Sequence, residues 1–168
     1  MSFGRREGLF WKRHLPDTHK EAPMPPITPA LWFDGHLAEA AEFYLSVFPN
    51  SSIEELNDVS VVFVLDGHRF IGINGGPQFP FTEAVSFMIG CKDQDEVDYY
   101  WSRLTDGGQE SQCGWLKDRY GLSWQVVPDR LFELISDPDP ARAQAATKAM
   151  MGMRKLVVAE LEAAADGA

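Results

Sequence analysis

The sequence predicts an α+β protein in which a βαβββ unit occurs twice and is followed by helices. Three observations carry this reading. From Ile27 the chain runs strand, helix and three strands, and then runs through the same order again. Two helical segments match position by position: Ala41-Glu42-Phe43-Tyr44-Leu45-Ser46-Val47-Phe48 lines up with Val97-Asp98-Tyr99-Tyr100-Trp101-Ser102-Arg103-Leu104. Each has an aromatic pair, a large apolar residue and then serine. Glycine-rich breaks also punctuate the pattern, closing the first unit at Gly75-Gly76-Pro77 and ending the helix of the second at Gly107-Gly108.

In the first unit, Ile27 to Asp34 is an apolar and aromatic run that stops at Gly35, which reads as a strand. Leu37, Ala40, Ala41, Tyr44 and Phe48 recur at helical spacing until Pro49 and Asn50 end the pattern. Ser52 to Leu56 and Val59 to Leu65 read as strands meeting at Asn57-Asp58. Asp66-Gly67 then turns the chain tightly into Phe70 to Asn74, because both residues tolerate the positive φ of such hairpins.

In the second unit, Val85 to Gly90 is the strand, and Asp93 caps a helix that reaches Leu104. Short strands follow near Gln109 to Cys113, at Trp115 to Lys117 and from Leu122 to Val127, with Pro128 closing the sheet. The acidic cluster Asp93, Asp95, Glu96 and Asp98 opens that helix. There it complements the positive end of the helix dipole, a simpler reading than a metal box.

Four segments follow: 1–26 as an extension, 27–80 and 81–128 as the two modules, and 129–168 as a helical tail. In the extension, Pro23-Met24-Pro25-Pro26 reads as a flexible linker, with Trp11 beside Lys12 and Arg13 as its one anchor-like feature. In the tail, Asp137-Pro138 and Asp139-Pro140 each pair a capping aspartate with a first-turn proline. Ala143, Ala146, Met150 and Met153 make one apolar stripe, and Leu156, Val157 and Leu161 lead into a last helix.

Composition excludes several classes. A net charge of −10 repels phosphate backbones, so nucleic acid is not an expected partner. No apolar run spans a bilayer, and no secretory signal opens the chain, so a cytoplasmic protein without a membrane partner is expected. Cys91 and Cys113, in no CxxC pair, read as free thiols.

Several motifs resemble one family. They are Ile27-Thr28-Pro29-Ala30-Leu31-Trp32-Phe33-Asp34-Gly35, Ala40-Ala41-Glu42-Phe43-Tyr44 and Ile73-Asn74-Gly75-Gly76-Pro77, followed by Asp98-Tyr99-Tyr100-Trp101. Gln112-Cys113-Gly114-Trp115-Leu116-Lys117-Asp118, Tyr120-Gly121-Leu122-Ser123-Trp124-Gln125 and Ser136-Asp137-Pro138-Asp139-Pro140 continue the match. In this order they resemble the PhnB-like family of the vicinal oxygen chelate (glyoxalase, bleomycin-resistance and dioxygenase) superfamily, whose members are often labelled 3-demethylubiquinone-9 3-methyltransferase. The resemblance implies curved mixed sheets around a cavity, and a homodimer. For the superfamily's enzymes it implies a divalent metal held by His, Glu or Gln from the first and last strands of each module. The chain departs from the family in its short Ser51 to Asp58 segment, which trims a hairpin at the cavity rim, and in its N-terminal extension.

The histidines are His14, His19, His36 and His68, and none falls in Ile27 to Asp34, Val85 to Gly90 or Leu122 to Val127. First-strand positions offer Thr28, Ala30 and Trp32, matched in the repeat by Ala84, Ser86 and Met88. Last-strand positions offer Asn74 and Gln125, read as repeat equivalents. Amides and hydroxyls alone bring too little charge to strip water from a divalent ion, so no metal and no cofactor is expected.

The expected ligand-binding residues are Thr28, Trp32, Asn74, Ser86, Cys113, Trp115 and Gln125, around a small organic molecule. Asn74 and Gln125 serve equally well as partners for backbone groups or for one another. Trp124 alternates with Gln125, so it is expected in the core. Cys113 has no histidine near it in sequence to activate a nucleophile, and the catalytic residues and the reaction stay unassigned. A metal-dependent lyase, isomerase or dioxygenase is the alternative, and a purely structural dimer a third. A methyltransferase would need a glycine-rich turn leading into a helix; Gly72, Gly75 and Gly76 lead instead to Pro77, Phe79 and Pro80.

Overall fold

A computed structural model describes residues 27–168; the extension, with Trp11, His14 and His19, lies outside the described residues. The first module comprises β1 (Ala30–Phe33), α1 (Leu37–Val47), β2 (Ser52–Leu56), β3 (Ser60–Leu65) and β4 (His68–Asn74). The second comprises β5 (Ser86–Cys91), α2 (Gln94–Thr105), β6 (Gln109–Glu110), β7 (Trp115–Lys117) and β8 (Ser123–Pro128). The sheets run β1-β4-β3-β2 and β5-β8-β7-β6, each with its first strand parallel to its last and the other pairs antiparallel. The expected α+β duplication is therefore present, down to one topology in both halves.

The repeated serines show the duplication at atomic level. Ser46 Oγ donates to the Phe43 carbonyl at 2.6 Å, and Ser102 Oγ donates to the Tyr99 carbonyl at 3.0 Å. Asp66 and Gly67 both take positive φ (45° and 81°), as the hairpin between β3 and β4 requires. Asp93 caps α2 by accepting from the Glu96 N–H at 3.0 Å, while Glu96 reaches back to the Lys92 N–H at 3.0 Å.

Two strands are shorter than the sequence pattern suggests. β1 begins at Ala30 because Pro29 has no N–H to give; its carbonyl still accepts from Ile71 at 3.0 Å. β6 stops at Glu110 because the chain then turns, reaching positive φ at Cys113 (58°) and Gly114 (82°). Their N–H groups leave the sheet and donate to Met153 O at 2.8 Å and Arg154 O at 2.7 Å.

Both sheets bury the face that carries their helix. Leu31, Phe33, Val61, Phe63, Leu65 and Phe70 pack on α1, and Val97, Trp101, Leu104, Leu116, Trp124 and Val126 form the matching layer of the second module. The two layers are one core. Tyr44 lies 5.7 Å from Trp124, Phe48 lies 5.2 Å from Trp124, and Phe70 lies 5.2 Å from Phe87, centroid to centroid. Trp124 is thus a core residue, as alternation with Gln125 implied. A buried carboxylate pins the seam. Asp118 Oδ2 accepts from the Tyr44 hydroxyl of the first module and from the Trp124 indole, both at 2.8 Å, and Oδ1 accepts from the Tyr120 and Leu122 N–H groups. Tyr99 adds a second tie, donating its hydroxyl to Val47 O at 3.0 Å.

The tail forms α3 (Asp129–Ile135), α4 (Pro140–Gly152) and α5 (Val158–Asp166). The stripe on α4 packs within its own chain: Ala146 is buried with Val127, Leu131, Leu134, Leu156, Leu161 and Ala165, and Met150 and Met153 lie against them. Asp139 caps α4 through the Ala141 N–H at 2.9 Å. Asp137 is not a helix cap. Its oxygens take the Asp139 N–H at 2.9 Å and Arg142 Nε at 3.0 Å, bracing the turn before α4.

Candidate functional site

With both helix-side faces consumed by the shared core, each sheet keeps one face away from it. Period-two alternation puts Ala30 and Trp32 of β1, Ile71 and Ile73 of β4, and Val62 and Val64 of β3 on the free face of the first sheet. That face is mainly apolar. On the second sheet the free face carries Gln109, Lys117, Ser123 and Ser86 in one register row, and Trp115, Gln125 and Met88 in the next. That face is mainly polar.

The structure brings three of the expected binding residues together. Gln125 Nε2 donates to Ser86 Oγ at 2.8 Å, and Trp115 sits beside Gln125 in register. Trp32 lies on the other sheet, its indole N–H donating to Gly76 O at 2.7 Å and its ring edge-on to exposed Phe79 at 5.0 Å. Gly75 makes room for that ring, since a Cβ there would fall 2.0 Å from Trp32. Cys113 is half-buried on the turn before β7, under the 153–154 segment.

Asn74 is not the equivalent of Gln125. Trp32 pairs with Ile73, and its repeat partner Met88 pairs with Gln125, so Ile73 holds the matching place. Asn74 is one residue out of phase, which turns its side chain from the free face. Its Oδ1 takes the Gly35 N–H at 2.8 Å and so braces the turn between β1 and α1. Thr28 also stands apart, at the end of a groove of about 910 Å³ along the seam between modules. Phe48, Phe70, Phe87 and Trp124 wall this groove, with Asp66, His68 and Arg69 of the hairpin at its rim. It gathers none of the other expected residues.

The free faces do not suit a divalent ion. Their first- and last-strand positions are Ala30, Trp32, Ile71 and Ile73 in one module and Ser86, Met88, Ser123 and Gln125 in the other. None supplies imidazole, carboxylate or thiolate, and among the described residues no three such groups converge. A methyl donor of the nucleotide-like kind fares no better: after β4 and Gly75-Gly76 the chain runs through a loop into β5 with no helix between.

The two thiols differ sharply. Burial, reinforced by Glu96, Asp129 and Asp93, pushes Cys91 up to about 12. At mildly alkaline pH one thiol per native chain, Cys113, is expected to react with a disulfide reagent, against two after unfolding. Prompt reaction of both in the native protein contradicts that assignment.

Lys117, Ser123 and Glu83 were not among the sequence candidates. Ser123 Oγ is a buried side-chain oxygen without a hydrogen-bond partner, and Lys117 pairs with Glu83 at 2.8 Å. Alternation from Trp115 points to Lys117, two residues on, as a face-mate; nothing in the sequence indicates that Ser123 lacks a partner.

A family model described as 3-demethylubiquinone-9 3-methyltransferase matches residues 25–127, more than half the chain. Among solved structures, the PhnB protein of Bacillus cereus is 30% identical, covering 62% of this chain and 99% of its own, with a TM-score of 0.56. Protein PA1353 of Pseudomonas aeruginosa is 19% identical over 61% of this chain and 96% of its own, with a TM-score of 0.51. The fosfomycin resistance protein FosX of Listeria monocytogenes, solved with Mn(II) and sulfate, is 14% identical over 64% and 91%, with a TM-score of 0.50. The last two share the fold alone. No curated protein matches the chain. With the duplicated topology and the family match in agreement, the chain belongs to the PhnB-like, 3-demethylubiquinone-9 3-methyltransferase family of the vicinal oxygen chelate superfamily.

Proposed function

We propose that two copies of the chain bind a small organic molecule between them, through amide, hydroxyl and indole groups and without a resident metal. The Gln125–Ser86 hydrogen bond carries this reading, because it joins β8 to β5 on the free face with an amide and a hydroxyl engaged with one another, which alone bring too little charge to hold a divalent ion. The two free faces cannot meet within one chain, since the core lies between them. A second copy, laying its polar second sheet over the apolar first sheet of its neighbour, encloses Trp32 with Gln125, Ser86 and Trp115. Exposed Phe79 and Met88 then leave water. The methyltransferase description of the family has no support in the loop that follows β4.

Sedimentation is expected to give a dimer, and metal analysis less than stoichiometric divalent ion. In a panel of small organic molecules, those that raise Tm for the native protein are expected to lose about tenfold in affinity with Gln125→Leu, because an unmatched polar partner costs on the order of 1–3 kcal/mol. The unliganded Tm of that variant is expected to stay close to the parent value. Tightly held stoichiometric metal that is needed for binding overturns the reading.

A further inference from the structure

We infer that the molecule bound on the second sheet carries a carboxylate, which replaces Glu83 on the Lys117 ammonium and reaches the Ser123 hydroxyl. This rests on the small-molecule reading above and names the ligand's chemical class. Lys117, Ser123 and Ser86 are consecutive in one register row, and Trp115 and Gln125 lie two residues along their strands on the same face. Of these, Lys117, Ser123 and Trp115 border a recess of about 170 Å³, also lined by Glu83, Gln109 and Ser111; Ser86 and Gln125 lie beside it on the same face. Complete ligand pockets span roughly 300–1,000 Å³, so the recess has the size of one half of a shared site.

Two features of the recess call for an anion. Ser123 is 1% exposed and its hydroxyl has no partner, an arrangement native folds seldom retain because it forgoes a hydrogen bond. Lys117 is only 30% exposed at its side chain, so its charge is partly stripped of water. Glu83 supplies the counter-charge from the loop between β4 and β5, yet its own side chain is 65% exposed. The hydrogen bond from Lys117 holds the Glu83 carboxyl below its ordinary value. An exposed pair of this kind is held weakly, so a second carboxylate displaces it readily. Glu83 thus marks the anion position as an internal stand-in. Glu110, the other acid at the recess, is engaged elsewhere: it accepts from the Trp101 indole at 3.0 Å and faces Arg154 at 3.6 Å. The Trp115 indole offers an apolar wall to the body of the acid.

Titration of the full chain with benzoate and with benzamide, its neutral isostere, tests this by NMR or calorimetry. Benzoate is expected to bind at least about tenfold more tightly than benzamide, in line with a charge-assisted hydrogen bond. Lys117→Met is expected to remove that preference, Glu83→Gln to strengthen benzoate severalfold, and Ser123→Ala to weaken it. Circular dichroism confirms that each variant is folded, and Glu83→Gln, on an exposed loop, keeps the test alive if Lys117→Met is not. Equal binding of both probes, or weaker benzoate binding in Glu83→Gln, overturns the inference. If neutral molecules alone bind and depend on Gln125, the carboxylate class is wrong and the shared site stands. If binding ignores both Gln125 and Lys117, both readings fall.

Discussion

Asp118→Ala is expected to cost about 4 kcal/mol of stability, since buried donors left without an acceptor cost on the order of 1–3 kcal/mol each and relax only in part. Four donors converge on this carboxylate, and one of them, the Tyr44 hydroxyl, comes from the other module. With Asp118 only 3% exposed, water does not replace it. Asp118→Asn retains one oxygen and turns an amide N–H₂ toward Tyr44 or Trp124, so a loss of about 2 kcal/mol is expected. Tyr44→Phe removes a single donor and is expected to cost about 1 kcal/mol. Urea unfolding of the three variants, closed into a Tyr44/Asp118 double-mutant cycle, measures the tie between the modules. A coupling near zero contradicts the assigned role.

The pH dependence has a defined sign. Burial raises the Asp118 carboxyl above its ordinary 3.8 despite the donors that favour its ionised form. An acid held above its unfolded value binds its proton more tightly in the fold. Its contribution is then greatest below that unfolded value and is lost as pH rises through the raised one. Asparagine does not titrate. The advantage of the parent over Asp118→Asn is therefore expected to widen as pH falls through the raised value toward the ordinary one. Tyr44, pushed well above its usual range by burial first and by Asp118 second, remains a donor throughout.

Gly108→Ala is expected to be the next most damaging change, at about 3 kcal/mol, because overpacking against rigid neighbours costs in this range. A Cβ at Gly108 would lie 2.2 Å from the Lys117 carbonyl and 2.8 Å from the Leu104 carbonyl, both backbone atoms that cannot rotate aside. Relief would push β6 from β7, whose pairing starts at Gln109 and Lys117. Gly107→Ala beside it is the control. Its φ of +73° disfavours alanine, but its nearest neighbour is the Arg119 side chain at 3.4 Å, so about 1 kcal/mol is expected. Thermal unfolding separates the two. If Gly107→Ala is the worse variant, backbone conformation rather than the close approach governs this turn.

Much of the architecture was legible because its signals are local. Asp66-Gly67 encodes its own turn, Asp93 its own cap, and the aromatic-aromatic-apolar-serine phrase marks equivalent turns of α1 and α2. The candidate site was legible in part. Ser86, Gln125 and Trp115 emerged as neighbours, since alternation along a strand is readable once its phase is known. Asn74 failed because its phase was set by counting from the strand end, and one residue of slip exchanges the faces of a sheet. Asp137 failed because its aspartate-proline pattern fits a capping site and a braced turn equally well.

By itself, then, the sequence determined the order of elements, their duplication and the absence of histidine from the strand positions a metal would use. These depend on residue type and short-range periodicity. Only the tertiary structure decided that the two helix faces merge into one core and leave the opposite sheet faces outward. It alone showed that Asp118 joins the modules and that Lys117 and Ser123 share a recess. Those facts arise from long-range packing, in which side chains distant in sequence compete for one buried volume, and no local pattern records the outcome.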